Sequence, residues 1–266
     1  MGALFTTADF DFFKSLIVKA GDAARQIQSS TIQVTRKSDA TIVTQADLMV
    51  QDMLIDTISA RYDDLHFINE EQGRAGAAKV TADTVSVIID PIDGTAMYSM
   101  YLPIWCVSIG IFRAYTPVYG FVYSPGFNML FYNDDDKAYL NDTALRADTN
   151  IRIDTETNIF YASEVYREYA IEFPGKVRNL GSTALHACLT VDNARNRTLA
   201  FIGKSRLWDW AGAIPVVLKA GGSVRYIDGR IVDFRNIMRG NYAFPEYIIA
   251  YNSRDFTSIR KIFKKR

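Results

Sequence analysis

The chain has 266 residues, 48% hydrophobic and 23% charged, with 30 Lys+Arg against 30 Asp+Glu, two His and two Cys. That apolar content excludes a disordered chain, two cysteines exclude a disulfide scaffold, and four Cys and His in all leave little for a Cys/His zinc site. A formal charge of zero gives no general pull toward nucleic acid, so none is expected as a partner, and with so few histidines any hydrolytic chemistry falls to carboxylates. No run of about 18 apolar residues spans a bilayer, so no membrane partner is expected. The N-terminus carries acids early and no basic signal region, and Met1-Gly2 with Thr6 fits a myristoylation pattern only superficially. Cys106 and Cys188 stand in apolar surroundings and read as small buried residues, so a cytoplasmic protein is expected.

Phe10, Phe13, Ile17, Ala20, Ala24 and Ile27 recur at helical spacing and predict a helix over residues 8–29. Residues 30–43 are β-prone and basic, with Arg36 and Lys37 before Ser38-Asp39. The stripe Ala46, Met49, Val50, Met53, Leu54 and Ile58 predicts a second helix over 45–61. Thr44 is its expected N-cap, and Asp47 falls in the first turn, where a carboxylate suits the helix dipole. A strand over 65–69 ends in Glu70-Glu71, and Gly73 to Lys79 reads as a loop. Residues 85–89 are β-branched apart from Ser86 and predict a buried strand that stops at Asp90-Pro91. Segments 104–113, 117–123 and 127–132 then read as an antiparallel meander, followed by a short strand over 137–140.

The second half alternates. Strands are expected near 158–162, 176–180, 198–202 and 247–251. Helices are expected over 164–172, from Thr183 to about 193, over 208–220 and over 254–265, with a hairpin over 223–234 turning at Asp228-Gly229. The basic Lys264-Lys265-Arg266 end suits a helix C-terminus. The polar stretch 142–155 divides an α+β N-terminal part, 1–145, from an α/β part, 146–266.

Carboxylates cluster at the ends of these elements. Glu70 and Glu71 follow one strand, Asp90 ends another with Asp93 three residues on, and Asp209 opens a helix. If these elements converge, the acids cannot all stay ionised without cations. Hard divalent ions such as Mg²⁺ take oxygen ligands of this kind, and two close together clamp a phosphoryl group. In Asp90-Pro91-Ile92-Asp93-Gly94-Thr95, Pro91 fixes a tight turn that aims both aspartates and the Ile92 carbonyl at one point. Gly94 lets backbone N–H groups approach an anion, and Thr95 opens a turn whose N–H groups suit phosphate.

The chain resembles the inositol monophosphatase family, the Mg²⁺-dependent, lithium-sensitive sugar-phosphate phosphatases. The resemblance is carried by Lys37-Ser38-Asp39, Val43-Thr44-Gln45-Ala46-Asp47, Glu70-Glu71, Asp90-Pro91-Ile92-Asp93-Gly94-Thr95, Gly181-Ser182-Thr183-Ala184, and Trp208-Asp209-Trp210-Ala211-Gly212-Ala213 through Ala220-Gly221-Gly222. It implies a layered α/β/α/β/α sandwich and a homodimer. It also implies two or three Mg²⁺ ions per site, held by Glu70, Asp90, the Ile92 carbonyl, Asp93 and Asp209. Thr95, with Asp47 behind it, is implied to orient and activate the attacking water, with Glu70 assisting through a third, weaker ion. Gly94, Thr95 and Ala96 are implied to cradle the phosphate, and Gly181, Ser182 and Thr183 to face the alcohol half of the substrate. The implied reaction is hydrolysis of a small phosphorylated alcohol by in-line attack of a metal-activated water.

The sequence departs from the family in three places. Ala96-Met97-Tyr98 replaces the usual Thr-Asn-Phe, and Asn69 precedes the Glu pair where a small residue is commoner. Inositol-specific members also carry a Glu shortly before the Trp-Asp block, where this chain has Gly203-Lys204-Ser205-Arg206-Leu207. Lys204 and Arg206 leave open a second anionic group on the substrate, as in fructose 1,6-bisphosphate or 3′-phosphoadenosine 5′-phosphate, or are ordinary surface residues. Two further readings remain open: a Ser182–His186 hydrolase and a catalytically weak RNA- or protein-binding relative.

Overall fold

Local signals act first, in a computed structural model that describes residues 4–30, 32, 34–36, 42–71 and 80–266. Lys37-Ser38-Asp39 and the Gly73–Lys79 loop lie outside the described residues. The N-terminal stripe forms α1 (Thr7–Gln28), started by Thr6, whose N–H and hydroxyl donate to Asp9 at 2.8 and 2.7 Å. β1 (Val34–Arg36) and β2 (Ile42–Thr44) pair antiparallel and lead into α2 (Gln45–Ser59). Then follow β3 (Leu65–Asn69), β4 (Val85–Asp93), α3 (Thr95–Ser99), β5 (Cys106–Arg113), β6 (Thr116–Ser124), β7 (Met129–Asn133), β8 (Ala138–Leu140) and β9 (Thr143–Leu145). The second half runs β10 (Asn158–Tyr161), α4 (Val165–Glu168), β11 (Tyr169–Ile171), β12 (Lys176–Arg178), α5 (Thr183–Leu189), α6 (Asn193–Asn196) and β13 (Thr198–Gly203). It closes with α7 (Leu207–Ala211), α8 (Ala213–Lys219), β14 (Ser223–Tyr226), α9 (Phe234–Arg239), β15 (Ile248–Tyr251), α10 (Phe256–Lys261) and β16 (Phe263–Lys265).

Strands β3 to β9 form one seven-stranded sheet in chain order, parallel at β3–β4 and antiparallel beyond, which is the expected meander. The second sheet has the order β12-β10-β13-β15-β14. Strand alternation gives the first sheet two buried faces. Val87, Ile89, Val107, Ile109, Phe121 and Tyr123 meet α1 and α2 in one core. Ile88, Cys106, Phe112 and Val122 meet α5, α7 and α8 in a second, which also takes Phe160, Phe201 and Ile248 from the second sheet. A third core lies between the other face of that sheet and α4 and α10. The chain is therefore an α+β stack of helix, sheet, helix, sheet, helix.

Five local expectations need correction. The helix expected over 164–172 stops at Glu168, and the one over 254–265 stops at Lys261; their remainders become β11 and β16, paired antiparallel, with Tyr169 and Phe263, the first residue of each, buried in the third core. The helix over 208–220 breaks into α7 and α8 at Gly212. Pro215 has no N–H to return to the Ala211 carbonyl. The helix from Thr183 stops at Leu189, with α6 separate. The hairpin after β14 closes through one bridge, Arg225 to Ile231, because β14 pairs with β15. The chain then enters α9, which Asp233 caps by accepting from Asn236 N–H at 3.1 Å.

The α7–α8 break is pressed against the first sheet where β5 and β6 carry small residues. A Cβ on Gly120 would stand 1.8 Å from the Gly212 carbonyl oxygen, and one on Gly110 would stand 2.5 Å from the Ala211 backbone. Backbone cannot yield as a flexible side chain does. Gly120→Ala is expected to lose about 3 kcal/mol, the upper end for an overpacked core, read as a lower urea midpoint; an unchanged midpoint would contradict the close contact.

Candidate active site

Three elements bring acids to one place. β3 ends at Asn69 and delivers Glu70, β4 carries Asp90 and Asp93, and the first turn of α7 presents Asp209. Asp209 is fixed there by the Arg206 N–H, which donates to its Oδ2 at 2.7 Å. One carboxylate oxygen from each of Glu70, Asp90 and Asp209 lies within 4.8 Å of the others. Asp90 is fully buried; its Oδ1 accepts from Ile92 N–H at 3.1 Å, and its Oδ2 is buried with no hydrogen-bond donor. Burial first, then the charges of Glu70, Asp93, Asp209 and Asp47, push the Asp90 carboxyl well above the usual range. Burial also raises Asp209. An orphaned carboxylate oxygen beside two more carboxylates is a donor set for a hard divalent cation, so the residues fit the ion that the resemblance implies.

Asp93 stands apart from that trio. Its Oδ2 accepts from Ser182 Oγ at 2.5 Å and Ala184 N–H at 2.7 Å, and its Oδ1 from Thr183 N–H at 3.0 Å. Cys106 Sγ lies 3.6 Å from the same carboxylate. Burial and Asp209 raise the Asp93 carboxyl to about 7 against the lowering by these donors. Asp93 thus ties β4 to the start of α5.

The water-activating pair of the sequence reading is also adjacent. Thr95 Oγ1 donates to the Ile92 carbonyl at 2.9 Å and lies 3.4 Å from Asp47 Oδ1. Asp47 is buried, and its Oδ2 accepts from the Thr44 N–H and hydroxyl at 2.7 and 2.6 Å. Gly94 has φ +101°, and a Cβ there would meet the Gly181 and Ile104 carbonyls at 3.1 Å. Gly94, Thr95 and Ala96 open α3, where first-turn N–H groups lack helical partners. The departures at Met97 and Tyr98 are structural. Met97 packs on Gly181, and the Tyr98 hydroxyl donates to the Ala24 carbonyl at 2.7 Å, fastening α3 to α1.

Gly181, Ser182 and Thr183 line a cavity of about 250 Å³ shared with Glu164, Asn179, His186, Lys204 and Ser205. Arg206 does not reach it as a free cation, because its Nη1 donates to the Asn241 carbonyl at 2.8 Å. The Lys204 ammonium sits 5.7 Å from the Tyr247 ring centre. The Ser182–His186 hydrolase is excluded. The Ser182 hydroxyl serves Asp93, while His186 Nε2 accepts from Leu180 N–H at 2.7 Å and burial between Phe160 and Phe201 lowers the ring to about 3. The sequence reading missed Glu164, Asn179 and Ser205. Their common signal is position just beyond the ends of β10, β12 and β13, where ligands of α/β sheets sit.

The sequence profile of the inositol monophosphatase family matches residues 8–259. Inositol monophosphatase 1 of Sus scrofa is 30% identical over 257 residues, covering 90% of this chain and 91% of that one. A fructose-1,6-bisphosphatase/inositol-1-monophosphatase of Aquifex aeolicus is 24% identical over 227 residues, covering 81% and 83%. The solved structure of a Thermotoga maritima IMPase superposes with a TM-score of 0.78 at 23% identity, covering 96% of each chain.

A pH dependence follows from the acids. A carboxyl whose folded pKa is raised binds its proton more tightly in the folded state, so its stabilisation is full below the unfolded value and is lost as pH rises toward the folded one. For Asp93 that window runs from 3.8 to about 7, and Asp90 acts in the same direction. Metal-stripped protein is expected to melt at lower temperature as pH rises from 5 to 7.5, with Mg²⁺ raising Tm more at 7.5 than at 5. A Mg²⁺ increment independent of pH in differential scanning calorimetry would refute this.

Proposed function

The chain belongs to the inositol monophosphatase family, and we propose that this metal-dependent phosphatase hydrolyses the monophosphate ester of a small polyol, such as an inositol monophosphate. The observation that carries the reading is the carboxylate trio Glu70, Asp90 and Asp209 around the buried Asp90, whose Oδ2 lacks any donor. In this reading Glu70, Asp90, the Ile92 carbonyl, Asp93 and Asp209 hold two or three Mg²⁺ ions, which supply Lewis acidity toward the phosphoryl oxygens and lower the pKa of water. Thr95 orients the attacking water, whose proton is relayed as the Thr95 hydroxyl passes its own proton to the Asp47 carboxylate 3.4 Å away, with Glu70 assisting. The N–H groups of Gly94, Thr95 and Ala96 hold the phosphate. Gly181, Ser182 and Thr183 position the alcohol, which departs on the side opposite the water.

The name of the Aquifex aeolicus relative and the place of Lys204 on the cavity wall favour a second reading, a bisphosphatase whose substrate presents its other anion to Lys204. We also infer inhibition by lithium, two subdomains over 1–145 and 146–266, and a homodimer. Met100, Tyr101, Leu102 and Phe127 support the dimer as an exposed apolar face, joined where Gly126 packs on Pro103. Two buried, unpaired thiols, Cys106 and Cys188, support a reducing cytoplasmic setting.

Phosphate release with Mg²⁺ tests this reading on inositol 1-phosphate, fructose 1,6-bisphosphate and 3′-phosphoadenosine 5′-phosphate. EDTA is expected to abolish turnover and Li⁺ to inhibit it. Asp90→Asn and Asp209→Asn are each expected to lower kcat by about 10³-fold, the loss of several kcal/mol of charge stabilisation, and Thr95→Ala by about 10²-fold. Turnover that persists in EDTA, or in folded Asp209→Asn protein, would reject it.

A further inference from the structure

One carboxylate outside the metal-facing set lines the cavity beside α5. Glu164 lies on the connection between β10 and α4, and it helps form the wall of the cavity that Gly181, Ser182 and Thr183 border. It occupies the N-cap position of α4 yet makes no side-chain cap hydrogen bond there. Burial raises its carboxyl and the Asp209 charge adds to the rise, against its own backbone N–H, the Arg167 charge and the backbone N–H of Lys204 just after β13. Of the nearby cations, the Lys204 ammonium faces the Tyr247 ring and Arg206 holds the Asn241 carbonyl, while Arg167 acts on Glu164 by its charge without a hydrogen bond to it. Asn179 is committed too, its Oδ1 accepting from Gly181 N–H at 2.8 Å and its Nδ2 donating to Ser163 Oγ at 2.9 Å. Only backbone N–H groups hold the Glu164 carboxylate, so among its several acceptor positions some face this wall of the cavity with no side-chain donor.

We propose that Glu164 is the specificity-determining residue for the leaving alcohol: it accepts hydroxyl hydrogen bonds from a neutral polyol and disfavours an alcohol bearing a second phosphate. The proposal rests on the phosphatase reading above. A carboxylate is acceptor-only, and its two oxygens can take vicinal hydroxyls. A site that offers a buried acceptor discriminates strongly against an analogue with no donor for it, because the acceptor is left unpaired. A second phosphate would bring like charge against Glu164 and Asp209, so the same group selects and rejects. The cavity, at about 250 Å³, holds one small ring.

Steady-state kinetics with Mg²⁺ on 4-nitrophenyl phosphate, inositol 1-phosphate and fructose 1,6-bisphosphate test it. 4-Nitrophenyl phosphate has no hydroxyl to offer Glu164, so its turnover by unmodified protein reports the metal centre. Unmodified protein inert to all three esters overturns the phosphatase reading, and the proposal with it. With that turnover present, Glu164→Ala is expected to lower kcat/KM for inositol 1-phosphate at least tenfold relative to 4-nitrophenyl phosphate, mainly through KM. Glu164→Gln, which keeps an acceptor oxygen, is expected to recover part of that loss. Glu164→Lys is expected to shift preference toward fructose 1,6-bisphosphate at least tenfold. Unchanged ratios overturn the proposal alone. So does an equal fall in kcat on every ester, which marks a structural role. If Glu164→Ala does not fold, Glu164→Gln carries the same comparison.

Discussion

Like charges forced together in a partly buried space set the terms for this molecule. Glu70, Asp90, Asp93 and Asp209 come from three separated stretches of chain, and each would be more comfortable in water. No local preference gathers them. They are held by three stacked apolar cores, which fix the ends of β3 and β4 and the first turn of α7 relative to one another. The hydrophobic contribution is spread over the whole chain, and the electrostatic cost is concentrated at one point. Such a point is relieved by protons or by cations, and the orphaned oxygen of Asp90 marks where the deficit is deepest.

The candidate site residues divide along the seam between the two sheets. The first sheet and α3 carry Asp90, Asp93, Gly94 and Thr95, which under the proposed function puts the phosphate side in the N-terminal half. The second sheet and its connections supply Glu164, Asn179 and Lys204, which under the proposed function puts the alcohol side in the C-terminal half. Asp93 and Asp209 cross the seam in opposite directions: Asp93 reaches from β4 to the α5 turn, and Asp209 is delivered from the second half to the acids of the first. Under that proposal chemistry and substrate choice rest on different halves, which lets one vary while the other is kept.

Much of this was legible in the sequence, for identifiable reasons. The capping pair Thr44 and Asp47, the meander and the acids at strand ends are written in short-range patterns that tertiary contacts did not override. The ends of the second half were not legible. β11 and β16 pair across more than ninety residues, and their segments look helical until the partner strand is known. Glu164 was hidden for a similar reason. In sequence it opens a short helix, and only the return of β13 beside β10 brings Lys204 next to it. The trio drew on all three acidic motifs, but the bonds that hold Asp93 against α5 depend on where that helix docks.

The face of the first sheet beneath α7 and α8 carries Ser108, Gly110 and Gly120, where other positions carry large side chains. These residues have no part in acid–base or metal chemistry, yet Asp209 is two residues from Ala211, whose backbone rests on Gly110. The depth to which α7 sinks into the sheet sets how far Asp209 stands from Asp90. A missing methyl group thus works as a ruler: the spacing of the charged atoms is measured out by atoms that are not there. Drift at these neutral positions would be felt as a change in reach at the acids, although no functional group had been altered.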